Sequence, residues 1–359
     1  MKPRIWILAF TAFSFGPIWA QVDSLPVEEV EDYSMYDNVS YADAGTKAYC
    51  TNKIEGLSPS KLISVGYDYQ MGYSLSSANT PGGQLTENYD QADFARSNGM
   101  RLALNVPVIS RNDFIVQIGA NYWNQSYALE TEGANNPVAM GLNDYGLRTT
   151  GLNLTVFKPF DETRFFLFQG SGDLNGDYGF SDIMPLKYTK YSAAALYGKR
   201  VSDRKMWGYG LARTYRVGEL NYIPILLYNS TNVANTWGTE VLFPARAHVR
   251  RTFSPRSMLF LGYELEGNSY RMYRTMMPQN DLEIRRGELR FRFVYERSLK
   301  DFIWLSAQFG YRYNYSFNAD QLPDGQEFFR GFFGDQPLAM EQSLTNPLYF
   351  NISVNLVSP

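Results

Sequence analysis

Charged side chains recur at every second position in several segments of the last third of the sequence. Glu288, Arg290 and Arg292 form one such series, with Leu289 and Phe291 between them. In an extended chain this spacing puts the charges on one face and the apolar residues on the other. The charged residues that this spacing places together, on a face predicted to point inward in a closed sheet, are Arg246, Arg250, Glu264, Glu266, Glu288, Arg290, Arg292 and Arg312.

A set of mixed charges on one face has two interpretations. A charge that faces a narrow interior is costly unless an opposite charge pairs with it, so these residues would brace one wall. Alternatively, they would line a constriction that selects small polar or charged solutes. Counting back from the turn at 298–301 places Glu288 nearly opposite Arg312, and the preceding turn places Glu264 near the level of Arg290. The sequence leaves both interpretations open.

Residues for nucleophilic, metal or redox chemistry are scarce. The chain contains 1 histidine, His248, and 1 cysteine, Cys50. A single cysteine excludes an internal disulfide framework and a thiolate metal cluster. A serine nucleophile would depend on His248 alone for its base. We therefore predict no enzyme, no catalytic residue, no metal site and no cofactor, and a net charge of −3 gives no reason to expect nucleic acid as a partner.

The elements that carry these residues show an alternation of period two. Segments near 100–108, 114–122, 303–317 and 348–356 repeat the pattern of the first segment, whose apolar face comprises Ile63, Val65, Tyr67, Tyr69, Met71 and Tyr73. Such runs exceed a typical soluble strand of about 5–6 residues and suit the roughly 9–11 residues that cross a bilayer. A soluble β-sandwich also alternates, but tyrosines toward strand ends favour a membrane barrel.

The connections between these segments predict a topology. Five are short, at 110–113, 159–163, 202–205, 253–256 and 298–301, and six longer polar connections lie between them. We therefore predict an all-β fold: a closed antiparallel transmembrane β-barrel of about twelve strands, with short periplasmic turns and long extracellular loops. The segment Tyr222–Tyr228 is assigned to a loop, and an extra hairpin there would give fourteen strands. The segment 239–250 is predicted as one strand.

The N-terminal part of the chain predicts export. Lys2 and Arg4 precede an almost uncharged apolar stretch, and Ala20 supplies a small residue for cleavage, so residues 1–20 are predicted to be a signal peptide. Residues 21–60 are acidic and poor in large aliphatic residues, which predicts a flexible periplasmic segment. A short plug or a partner-docking peptide is the alternative for this segment. Residues 61–359 form the predicted barrel.

The exported N-terminus, the aromatic-rich alternating strands and the final segment PLYFNISVNL resemble the Bacteroidetes-type outer-membrane β-barrel proteins of unknown function. The resemblance covers about residues 60–359 and rests on pattern. It implies an outer-membrane location, with outer-membrane lipid and the barrel assembly machinery as partners, and it carries no assigned chemistry. Barrels of this kind commonly end on an aromatic residue. This chain ends on Ser358 and Pro359, so that signal is absent or shifted inward to Tyr349 and Phe350.

These observations predict a passive channel or binding barrel for small solutes, polar ones among them. One alternative is a structural or interaction barrel with a closed lumen that presents its loops or tail to partners. The other is an outer-membrane lipid hydrolase, which His248 alone supports weakly. Two loops are candidates for recognition, the one near 271–277 and the last one, with the aromatic residues Phe328, Phe329, Phe332 and Phe333.

Overall fold

The computed structural model describes residues 48–51, 53–78, 91–130, 135–179, 189–215, 221–272, 274, 282–321 and 338–358. These ranges form antiparallel strands and a single helix, α1, at Pro137–Tyr145. The strands are β1 Lys61–Ala78, β2 Ala92–Arg111, β3 Phe114–Leu129, β4 Leu147–Pro159, β5 Arg164–Gly176, β6 Thr189–Ser202, β7 Lys205–Thr214, β8 Asn221–Thr231, β9 Trp237–Phe243, β10 Arg246–Ser254, β11 Ser257–Met272, β12 Leu282–Lys300, β13 Ile303–Gln321, β14 Leu338–Leu344 and β15 Leu348–Val357.

The sheet closes on itself. Each strand from β1 to β13 pairs with the next, and β15 joins β13 to β1. β14 lies between the same two neighbours as β15, so the two strands together fill one position. The barrel therefore has fourteen positions. The prediction of twelve strands was wrong in number, and its stated alternative of fourteen is confirmed.

The difference arises at one hairpin. The segment predicted as a single strand over 239–250 is divided between β9 and β10, with Pro244 and Ala245 between them. The segment Tyr222–Tyr228 lies in β8, which pairs with both β7 and β9. Proline removes a backbone N–H and is disfavoured inside a sheet, which suits Pro244 to the turn. The five predicted short turns all join consecutive strands.

The two faces of the barrel differ in polarity. Large apolar and aromatic side chains are exposed on the outer face, such as Leu152 (66%), Leu261 (51%) and Phe293 (53%). Polar and charged side chains at the alternate positions face inward. This distribution is that of a barrel whose outer wall contacts lipid. No helix among the described residues is long and apolar enough to cross a membrane.

The interior is filled at the end that carries the long connections, which we call the long-loop end. The helix α1 begins after Asn136, whose side chain accepts a hydrogen bond from the backbone N–H of Ala139, and Pro137 occupies the first turn. Val138 and Leu142 on this helix pack into an apolar cluster with side chains of β1–β4 and β11–β13. The helix is thus held against the inside of the wall.

We expect Leu142→Ala to lower the free energy of unfolding by about 2–5 kcal/mol, because it leaves a cavity among fully buried neighbours. Leu142 is 1% exposed. Met140 on the same helix is 50% exposed, so Met140→Ala is the matched control and should stay within about 0.5 kcal/mol. Urea unfolding of both variants measures the difference. Equal losses would show that α1 does not pack as described.

Candidate functional site

The predicted inward charges on β11, β12 and β13 meet in the middle of the barrel. Glu264 is in register with Arg290, as the residue count predicted. Glu288 is in register with Asn314, because a bulge shifts the β12–β13 ladder beside it. The Glu288 carboxylate nevertheless lies 3.8 Å from the Arg312 guanidinium. These residues therefore form one buried group.

Neighbouring strands add residues to this group that the sequence did not single out. Arg101 on β2 forms ion pairs with Asp68 on β1 and with Glu266. Arg101 and Asp68 lie on the polar faces of their strands, so the polar–apolar alternation was the sequence feature that could have identified them. We call the following residues the arginine cluster: Asp68, Arg101, Glu266, Arg286, Glu288, Arg290 and Arg312.

The predicted histidine lies beside this cluster. His248 is 8% exposed, and its Nε2 accepts a hydrogen bond from Arg292 Nε at 3.2 Å. Arg292 also pairs with Glu264. Among the hydrogen bonds of the described residues, none joins His248 to a serine hydroxyl. The geometry thus offers no nucleophile–base pair at His248.

A cavity of about 360 Å³ lies beside these charges, on the side formed by β5–β11. Its walls include the side chains of Gln169, Ser192, Ala194, Ala212, Ile225, Leu242, Arg246 and Glu264. Gln169 and Arg246 occupy inward-facing positions and yet are exposed, because they face this space. The cavity therefore combines an apolar wall with a cation.

The guanidinium of Arg246 is available to a ligand. Glu264 stands opposite Arg246 in the β10–β11 ladder, but its carboxylate pairs with Arg292. No hydrogen bond or ion pair of the Arg246 side chain occurs within the described part of the chain. Arg246 is thus an exposed positive charge in the lining of the cavity.

The wall of the barrel beside the cavity is incomplete toward the long-loop end, because β9 and β10 are short there. β9 reaches only Phe243, opposite Leu226 of β8, and β10 begins at Arg246, opposite Glu264 of β11. In the described ranges, no strand pairs with 266–270 of β11 on this side, and the next contact is a parallel bridge from Arg271 to Gly176 of β5. We call this opening between β8 and β11 the wall gap. Phe243, Pro244 and Leu265 line the cavity there.

The opposite end of the barrel, which we call the short-turn end, is crossed by residues 48–51 and 53–60, which we call the strap. The backbone N–H of Cys50 donates to the Asp161 carbonyl at 2.9 Å, and that of Glu55 donates to the Asp203 carbonyl at 2.7 Å. Glu55 also forms an ion pair with Arg204 at 3.0 Å. These contacts join the strap to the β4–β5 and β6–β7 turns.

Further along, the strap contacts the predicted residue Arg250. Gly56 has a φ of +72°, and a Cβ there would lie 2.9 Å from Thr231 and 3.4 Å from Arg250. Arg250 is fully buried and pairs with Glu240. Glu240 in turn accepts hydrogen bonds from the backbone N–H (3.4 Å) and the hydroxyl (3.2 Å) of Ser58. Arg250 therefore lies against the strap and does not belong to the arginine cluster.

The strap also packs against residues that line the cavity. Cys50 packs with Phe165 and Leu196 in an apolar cluster that includes the cavity residues Ile225 and Leu242. Its thiol donates a weak hydrogen bond to the Arg164 carbonyl at 3.5 Å, and burial raises its pKa. Within the segment 21–60, the strap contacts the turns, whereas 21–47 and 52 lie outside the described residues.

Other predicted features lie beyond what the structure describes. Phe328, Phe329, Phe332 and Phe333 fall in 322–337, outside the described ranges, and so does the predicted signal peptide at 1–20. Of the loop at 271–277, Arg271 and Met272 extend β11, and Arg274 donates a backbone hydrogen bond to Asp177 at 2.8 Å.

Neither a family model nor a curated protein sequence matches the chain. Several solved structures resemble it in fold. An outer-membrane channel from Pseudomonas putida F1 is 10% identical, with 86% of this chain and 100% of that chain covered and a TM-score of 0.34. A Pseudomonas aeruginosa FadL homologue is 10% identical, with coverages of 82% and 90% and a TM-score of 0.36. A mutant of the monoaromatic hydrocarbon channel TodX is 7% identical, with coverages of 84% and 91% and a TM-score of 0.32. Similarity at these values assigns no substrate to this chain.

Proposed function

We propose that this chain is an outer-membrane barrel that takes small amphiphilic anions into its cavity. The observation that carries the proposal is the cavity itself, in which an exposed arginine faces an apolar wall. Ligand sites are typically concave and mostly apolar, with a few polar groups that fix orientation. This cavity has that composition.

The charge of the ligand follows from Arg246. A guanidinium presents planar donors that match a carboxylate in two parallel hydrogen bonds. The Glu264 carboxylate on the cavity wall is already paired with Arg292, which leaves the Arg246 guanidinium to bind a carboxylate. The apolar part of the ligand would contact Ile225 and Leu242.

The route into the cavity is the wall gap. The lining at the gap comes from residues of both faces of the wall, since Leu242 faces inward and Phe243 is 48% exposed outside. β9 has 7 residues, fewer than the roughly 9–11 that cross a bilayer. The gap thus gives a solute access to the cavity from the side, where apolar solutes concentrate.

A closed structural barrel is the second candidate, and the filled long-loop end favours it. The cluster around α1 and the arginine cluster occupy the interior beside β1–β3 and β11–β13. A barrel that serves only as a scaffold would use the same filling. The two functions differ in whether the cavity binds a solute.

The test is a titration of hexanoate and of the neutral hexanamide into the barrel in lipid nanodiscs. We expect hexanoate to bind about tenfold more tightly, because a hydrogen bond to a charged group contributes about 1.5–3 kcal/mol. Arg246→Gln should remove this preference and leave hexanamide binding unchanged. Arg251→Gln is the matched control, because Arg251 on the same strand packs over Trp237 instead. Equal affinities of the two ligands for the unmodified chain would contradict the proposal.

A further inference from the structure

Two arginines of the arginine cluster lie directly opposite each other. Arg290 on β12 is in register with Arg312 on β13, and both side chains face inward. Arg290 is 2% exposed and Arg312 is 0% exposed. Like charges at directly opposite positions destabilise a strand pair, and burial removes the water that would screen them. The pair therefore needs compensation from another charge.

The carboxylates nearby compensate Arg290 better than Arg312. Glu288 accepts a hydrogen bond from Arg290 Nε at 2.5 Å, and Glu266 pairs with the same guanidinium. The carboxylate oxygens of Asp68 and Glu288 nearest to Arg312 are each 3.8 Å away, which is beyond hydrogen-bond distance. The hydrogen bond that Arg312 makes runs from Nη1 to Gln70 Oε1, at 2.5 Å.

Several buried donors around the two arginines have no hydrogen-bond partner among the described residues. They are Nε and Nη2 of Arg312, Nη2 of Arg290 and the hydroxyl of Tyr349. Tyr349 contacts both arginines, since the guanidiniums of Arg290 and Arg312 lie 5.4 and 4.9 Å from the centre of its ring. Buried polar groups are almost always hydrogen-bonded, so a set of unpaired donors in one place indicates a missing acceptor.

The charge count gives the sign of that acceptor. The arginine cluster contains four guanidiniums (Arg101, Arg286, Arg290, Arg312) and three carboxylates (Asp68, Glu266, Glu288), an excess of one positive charge. An unpaired charge buried inside a protein is strongly destabilising. A water molecule would accept a hydrogen bond but would leave the excess positive charge. A monovalent anion would accept hydrogen bonds and also neutralise that charge.

We propose that the arginine cluster holds one small monovalent inorganic anion of the chloride class, bound by Arg290, Arg312 and the Tyr349 hydroxyl. The site is separate from the cavity and does not depend on the proposed solute. Its consequence is structural: the anion joins β12, β13 and β15 at mid-height. The barrel then gains stability from halide.

The direct test is diffraction at the bromine absorption edge from crystals of the mature chain grown with sodium bromide. We expect an anomalous peak within about 3.5 Å of Arg312 Nη2, the reach of a guanidinium–halide contact. In solution, bromide at ten times its Kd should raise Tm by about 2–4 °C over gluconate at equal ionic strength.

Arg312→Gln removes the excess charge, so its Tm should be the same in bromide and gluconate. Arg251→Gln, which removes an arginine that packs over Trp237 outside both sites, should keep the difference. A crystal with water and no anomalous peak at the site would overturn the proposal, and so would a Tm of the unmodified chain that is independent of the anion. The crystal result holds even if Arg312→Gln does not fold.

Discussion

Deletion of residues 48–59 is expected to change a barrel of low conductance into one that opens in clear steps. The strap crosses the short-turn end, and Cys50 packs with residues that line the cavity. Removal of the strap should join the cavity to the solution at that end. We expect single-channel conductance in a planar bilayer to rise about tenfold or more, because an apolar constriction would become a hydrated one.

The matched control for this experiment is deletion of residues 22–46, which shortens the tail and keeps the strap. That variant should conduct as the full chain does. Cys50 gives a second measurement, because it is the 1 cysteine of the chain and is 4% exposed. Its thiol should react slowly with a maleimide unless the strap is displaced, since burial both hides it and raises its pKa. If the strap deletion conducts no better than the full chain, the strap is not the barrier.

Ala194→Trp is expected to abolish binding of hexanoate. Ala194 faces inward and lines the cavity between Ala212 and Gln169. An indole at this position would occupy space that the ligand needs. We expect the hexanoate affinity to fall about a hundredfold or more in the nanodisc titration, which removes most of the binding energy of a small ligand.

The neighbouring residue supplies the control. Ala195 is on the outer face of β6, so Ala195→Trp adds the same side chain on the lipid side and should leave the affinity unchanged. Overpacking typically costs about 1–3 kcal/mol, so the stability of both variants is measured alongside binding. Equal loss of affinity in a folded Ala195→Trp protein would place the ligand outside the cavity.

The period-two alternation was sufficient to predict the closed barrel, because lipid outside and polar groups inside impose it on every strand. It was not sufficient for the strand count. Leu242 and Arg246 both face inward and are cross-strand partners, so the alternation continues through the β9–β10 turn without a break. A turn that preserves the alternation cannot be detected from the alternation. Pro244 was the remaining sequence feature that indicated a turn between β9 and β10.

The central charges were predictable on three strands, since β11, β12 and β13 are consecutive and joined by short connections or a single loop. Arg101 and Asp68 were missed because they contact Glu266 on β11 and Arg312 on β13, which are far from them in sequence. The strap was missed for a similar reason. Ser58 bonds Glu240 across 182 residues of sequence, and a short segment without periodicity carries no sign of its partner.

A crystal structure of the barrel with 6-bromohexanoate would show where the ligand binds. Anomalous scattering from bromine fixes the position of one end of the ligand. We expect bromine in the apolar part of the cavity, near Ile225 and Leu242, with the carboxylate in contact with Arg246. Bromine at another place in the protein, or an empty cavity at saturating ligand, would contradict the proposed function.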